Sequence, residues 1–217
     1  RCRAEGIVTI VRNVLTMKPS SHTEANQEPS HQEFMGRTEF LRMATGFQGG
    51  ILLLALVLAW LFGLDLRRQF LFSSNSLWWG AIATGPMLAL FALTYNSTIS
   101  AFKSIKELLF QLLGKSLSRC RWYDLLYVAC LAGVSEEALF RGVLQYGIDH
   151  WNPTAGLIIS SVLFGIAHAL TPTYAILAGL LGVYLGLVFK ITGEPNLVPA
   201  ILCHSPVSYT HLTLPTK

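Results

Sequence analysis

The chain has 217 residues, 52% of them hydrophobic and 13% charged, with a net charge of +4 and a mean hydropathy of +0.48. A soluble domain carries about 25% charged residues, so the composition argues against an ordinary soluble globule. It points to an all-α, polytopic membrane protein with one membrane domain behind a polar N-terminal tail. The modest positive charge fits loops facing anionic lipid. With no basic run interleaved with aromatics, it gives no case for nucleic-acid binding.

Residues 1–42 are polar and mixed in charge. The stretch Ser20–Ser30 has little to bury and is expected to be disordered. The chain opens on Arg1, and Met17 is read as the true start. The apolar run Gly6–Ile10 is too short for a signal peptide. Met43 to Leu64 is uncharged and rich in Leu, Ala and Val. At 1.5 Å per residue it can cross a hydrocarbon core of ~30 Å, making it the first expected span. The run Ser73–Ser76 precedes a second span, Leu77 to Tyr95, with Trp78 and Trp79 at an interface and Pro86 placed to kink the helix.

Lys103 to Arg121 differs. Ile105, Leu108, Leu109, Leu112 and Leu113 recur at helical spacing between Lys103, Lys106, Glu107 and Lys115. This predicts an amphipathic helix in the interface plane, on the cytoplasmic side by its basic residues. The third span, Asp124 to Tyr146, carries Glu136, Glu137 and Arg141 in an otherwise apolar run. Trp151 to Phe189 has no Asp, Glu, Lys or Arg. Thr171-Pro172-Thr173 divides it into a fourth span, Thr154–Leu170, and a fifth, Tyr174–Ile191. Gly179, Gly182 and Gly186 in the fifth allow close helix packing. A sixth span begins at Leu197. After Pro206 the text has little helical period, and residues 206–217 are read as a non-native scar, a translated sequencing adaptor, outside the membrane domain 43–205.

Cys2, Cys120, Cys130 and Cys203 form no CxxC pair, so no zinc knuckle or redox motif is indicated. Cys130 and Cys203 read as small core residues.

Charge inside a bilayer costs at least a few kcal/mol and usually faces a protein interior or a water-filled cavity. Glu136, Glu137, Arg141, His168 and His204 are therefore the candidates for chemistry. Glu137 and Arg141 are four apart and can pair on one helix face. Glu136 is rotated by ~100° and is free to act as a general base. His168 and His204 could share a proton or donate to an oxyanion. One Glu and two His are also the ligand set of a catalytic zinc with an open position. In either case an activated water attacks a peptide carbonyl. There is no His-Glu-x-x-His helix, so ordinary zincin chemistry is not supported. Each residue alone reads as a structural ion pair or a satisfied histidine; together they favour function. A proton-coupled transporter would show repeated spans, and no convincing repeat is seen.

Glu136-Glu137-x-x-x-Arg141, then Phe164-x-x-x-His168, then His204 after Pro199-Ala200-Ile201-Leu202-Cys203, resemble the CPBP family of intramembrane proteases, also called Abi. Its type members are the CAAX prenyl endopeptidases. The resemblance covers residues 77–204, and the wording around the motifs looks like the bacterial branch. It implies an integral, multi-pass protein of the bacterial inner membrane, acting on a hydrophobic or membrane-associated peptide. Glu136 would activate water with His168, His204 would help to hold the oxyanion, and Glu137 and Arg141 would organise the site. The family's cofactor is either zinc, on Glu136, His168 and His204, or none. The family pattern continues to an Asn or Asp four residues after the last His, where this chain has Ser208. A non-proteolytic relative, acting as a membrane immunity or scaffold protein, is the alternative the resemblance allows.

Overall fold

The computed structural model describes residues 35–213, and every regular element among them is helical. The expectations for Ser20–Ser30, Met17 and Cys2 lie outside the described residues. The first helix, α1, is Arg37–Leu61. It starts before the expected Met43, because Arg37 has a partner: its Nε and Nη2 lie 2.6 and 2.7 Å from the two oxygens of Asp124. A 3₁₀ turn over Leu66–Gln69 leads to α2, Ser74–Asn96, whose start is fixed by a capping box between Ser73 and Ser76. Pro86 lies inside α2 without ending it.

Helix α3, Ser100–Leu109, continues through a wider π-helical turn, Phe110–Gly114, and a last turn, Lys115–Leu117. This is the amphipathic segment expected from the sequence. Helix α4, Trp122–Glu137, opens over Ala138–Gln145 into π-helical spacing and closes again at Tyr146–Asp149. There the Tyr146 N–H reaches back five residues to the Arg141 carbonyl. Helix α5, Pro153–Ala167, is capped by the Asn152 side chain, and α6, Pro172–Val188, by that of Thr171. In both, proline takes the first helical position, where its missing N–H costs nothing.

The last helix, α7, is Leu197–Thr213 and passes through Pro206. The sequence reading expected little helical period past that point. Proline removes the bond to the carbonyl four residues back, that of Leu202. Thr84 Oγ1 of α2 lies 3.3 Å from it, and 2.8 Å from the Gly80 carbonyl of its own helix.

Helix α4 and its π continuation form the centre. They pack against α1, α5 and α7; α7 also packs on α2, and α5 pairs with α6. The α5–α6 pair is close because it meets at glycines. A Cβ on Gly182 would lie 3.0 Å from Ser161 Cα, and one on Gly165 2.6 Å from the Ala175 carbonyl oxygen.

Two helices, α1 and α2, are long and apolar enough to cross a bilayer; α5 and α6 are apolar but shorter, with 15 and 17 residues. The outward faces are apolar, with Trp60, Trp78, Ile166, Ile176 and Leu180 exposed. The interior holds Gln48, Glu136, Glu137, Arg141 and Gln145. Cys203 is buried as expected, but Cys130 is exposed. Its neighbour Ala129 faces inward, so Cys130, one residue on and turned by ~100°, faces outward.

Candidate active site

The five ionisable residues singled out in the sequence converge at the centre of the bundle. Glu136 and Glu137 end the regular part of α4, and Arg141 lies in its π continuation. His168 is the residue that ends α5, and His204 is in the second turn of α7. Arg141 is 1% exposed and Glu137 fully buried, so an unpaired charge on either would be costly.

The pairing anticipated at i, i+4 is present: Arg141 Nη1 lies 3.1 Å from Glu137 Oε1. The guanidinium also donates through Nη2 to the Gly182 carbonyl of α6 at 3.0 Å, and its Cζ lies 4.6 Å from the centre of the Phe164 ring. One turn on, Gln145 Nε2 donates to the Gly186 carbonyl at 3.0 Å. The glycines of α6 thus do a second job: without side chains, their carbonyls are reachable from the π segment. Glu137 Oε1 also accepts from His204 Nδ1 at 2.7 Å, a contact across the bundle.

Glu136 points away from that pair. Its Oε1 accepts from Gln48 Nε2 at 3.0 Å. Its Oε2 has no hydrogen-bond partner, and faces two imidazoles, with His168 Nε2 at 3.5 Å and His204 Nε2 at 3.8 Å. Those gaps exceed a direct charge-assisted bond of about 2.7–2.9 Å. In each histidine Nδ1 faces an acceptor: His168 Nδ1 lies 2.9 Å from the Phe164 carbonyl and His204 Nδ1 is on Glu137. Nδ1 is then the protonated nitrogen, and Nε2 is left facing Glu136.

Two carboxylates against one guanidinium leave one negative charge in this cluster.

Among the described residues, no group of three or more His, Cys, Asp or Glu side chains is spaced to hold a metal ion.

Residues 118–210 match the model of a protein family described as type II CAAX prenyl endopeptidase Rce1-like. Over this stretch the chain is similar to the CAAX prenyl endopeptidases. No match is found among curated proteins or solved structures. The matched stretch contains all five candidate residues and Ser208, which lies on α7 one turn past His204. Helices α1 and α2 precede it, so Gln48 does not belong to the CAAX protease match. Sequence reasoning passed over Gln48, and with it Ser135, which donates to the Gln48 amide oxygen at 2.5 Å. A signal existed: Gln48 is the one side-chain amide in the apolar run 43–64.

Proposed function

We propose that the chain is an intramembrane endopeptidase that hydrolyses peptide bonds at or within the bilayer, with Glu136 as the base that activates water. The observation that carries this reading is the unpartnered Oε2 of Glu136 between two imidazole Nε2 atoms from two other helices. The family match to a CAAX prenyl endopeptidase supports it.

Water between Glu136 and His168 gives a proton to the Glu136 carboxylate as its oxygen attacks the scissile carbonyl carbon. His168 orients that water through Nε2. The oxyanion of the tetrahedral intermediate is held by the Nε2–H of doubly protonated His204, whose other N–H rests on Glu137. Glu136 then returns its proton to the leaving nitrogen, the C–N bond breaks, and the carboxylate is regenerated. Glu137 and Arg141 take no part in proton transfer; they fix the His204 ring and offset each other's charge.

The apolar exterior around a polar interior supports a bundle with lipid on its outside. On this reading about six helices sit in the membrane, α1 and α2 as full crossings and the shorter ones completing the bundle. The membrane would be the bacterial inner membrane, and the substrate a hydrophobic or membrane-associated peptide that reaches the site from lipid or cytosol.

The test uses the full native chain in lipid nanodiscs with two internally quenched peptides, one ending in a prenylated CAAX motif and one with the same sequence unprenylated. Cleavage of either, mapped by mass spectrometry, supports the protease reading; cleavage of neither contradicts it. Activity that survives a zinc chelator supports the metal-free scheme, whereas loss restored by added zinc replaces that scheme with a metal-dependent one. Ser208, where the family pattern has Asn or Asp, favours the second reading, a non-proteolytic relative that binds a partner in the membrane.

A further inference from the structure

Glu136 has two oxygens, and only one faces the histidines. The other is held from behind. Gln48 of α1 donates from Nε2 to Glu136 Oε1 at 3.0 Å. Ser135, the residue before Glu136, donates from Oγ to Gln48 Oε1 at 2.5 Å. Gln48 is 9% exposed and Ser135 fully buried, so water does not compete for these bonds. The ionised carboxylate only accepts, so it turns Nε2 of the amide toward Glu136, and the Ser135 hydroxyl then donates to the Oε1 left on the other side.

The bond is part of a longer seam. Helices α1 and α4 run side by side in the same direction. Their polar contacts step from Arg37–Asp124, at 2.6 Å, through Thr45 and Tyr127, whose oxygens are 3.2 Å apart, to Gln48 and Glu136. The depth at which Gln48 enters the bundle is thereby fixed by contacts that do not involve the site.

A terminal carboxylate torsion is broad and roughly two-fold, so a glutamate without a fixed oxygen can present either one at a range of angles. We infer that Gln48 is a positioning residue for Glu136: it clamps Oε1 so that Oε2 alone meets the water, and Ser135 holds the other side of its amide. This rests on Glu136 acting as the base. It extends the working site to α1, outside the stretch matched by the CAAX protease family.

Gln48→Met keeps the length of the side chain and removes its donor. Ser135 stays satisfied, because its hydroxyl has a second acceptor in the Ala132 carbonyl at 3.3 Å. A misplaced catalytic group costs on the order of 10²-fold, so kcat of Gln48→Met should fall roughly 10- to 100-fold on the cleaved quenched peptide. KM should stay within about two-fold, since the substrate does not touch Gln48. Ser135→Ala should lower kcat less, and Gln48→Met/Ser135→Ala should be no slower than Gln48→Met, because the two act as one chain.

Thermal unfolding and the folded fraction are measured on each variant, with Glu136→Gln in parallel. A wild-type kcat in Gln48→Met, or a loss that only tracks the folded fraction, overturns the assignment. If Gln48→Met does not fold, Ser135→Ala decides: a lowered kcat at unchanged KM supports the assignment, and an unchanged kcat overturns it. An inactive Glu136→Gln beside a fully active Gln48→Met removes the clamp and leaves the protease reading standing. A Glu136→Gln as active as wild type overturns both.

Discussion

His204 donates through Nδ1 to Glu137 Oε1 at 2.7 Å, tying α7 to α4 at the centre of the bundle. The same oxygen accepts from Arg141 Nη1 at 3.1 Å. One carboxylate therefore orients a ring and answers a guanidinium, which divides the adjacent glutamates into a structural member and a working one.

Removing one side of the buried pair should be worse than removing both. Arg141→Met takes the guanidinium away from buried Glu137, leaving it only the His204 ring, and should cost about 3–5 kcal/mol of stability. Glu137→Gln/Arg141→Met should be less destabilised than the sum of its single changes. Thermal or denaturant unfolding in detergent micelles measures both; additive losses would show that the pair is not coupled.

The α5–α6 contact makes a second prediction with an internal control. A Cβ on Gly165 would meet the Ala175 carbonyl at 2.6 Å and Gly179 Cα at 3.1 Å, both rigid backbone. On Gly179 the nearest atom would be 3.6 Å away, an ordinary contact. Gly165→Ala should destabilise by about 1–3 kcal/mol. Gly179→Ala should be neutral or gain up to ~1 kcal/mol from the lower chain entropy of alanine. Comparison of the two unfolding midpoints checks this.

Ser208 follows His204 by one turn on α7, so the two share a helix face. If this face holds the oxyanion, Ser208→Asn adds an amide donor where the family pattern has one. One oxyanion-hole donor is worth about 10²–10³ in kcat, so an increase of roughly 10-fold or more is expected on the cleaved peptide. An unchanged rate would separate Ser208 from the oxyanion.

What could be read from the sequence follows the range of the interaction. Glu137–Arg141 is local and needs only the 3.6-residue repeat. The starts of α5 and α6 were legible to within two residues, because Asn152-Pro153 and Thr171-Pro172 carry cap and first-turn proline together. The contacts of Gln48 with Glu136 and of His204 with Glu137 join residues 88 and 67 apart, and nothing local marks them. The π spacing after Glu137 has no composition of its own; it is what lets Arg141 and Gln145 reach the Gly182 and Gly186 carbonyls. Helix α7 passes Pro206, and the nearest side-chain hydroxyl to the carbonyl that proline leaves free comes from Thr84, 118 positions from Leu202. The true outward direction of Cys130 was missed because an apolar run does not say which face meets lipid.

The most direct test of the central claim is the cleavage rate of Glu136→Gln against wild type, in lipid and at equal folded protein. Glutamine keeps the shape of Glu136 and its contact with Gln48 through Oε1, but cannot take a proton from water. General-base catalysis contributes about 10²–10⁴-fold, so the variant should cleave at least ~10²-fold more slowly with its unfolding midpoint unchanged. A Glu136→Gln protein that cleaves as fast as wild type would contradict the account.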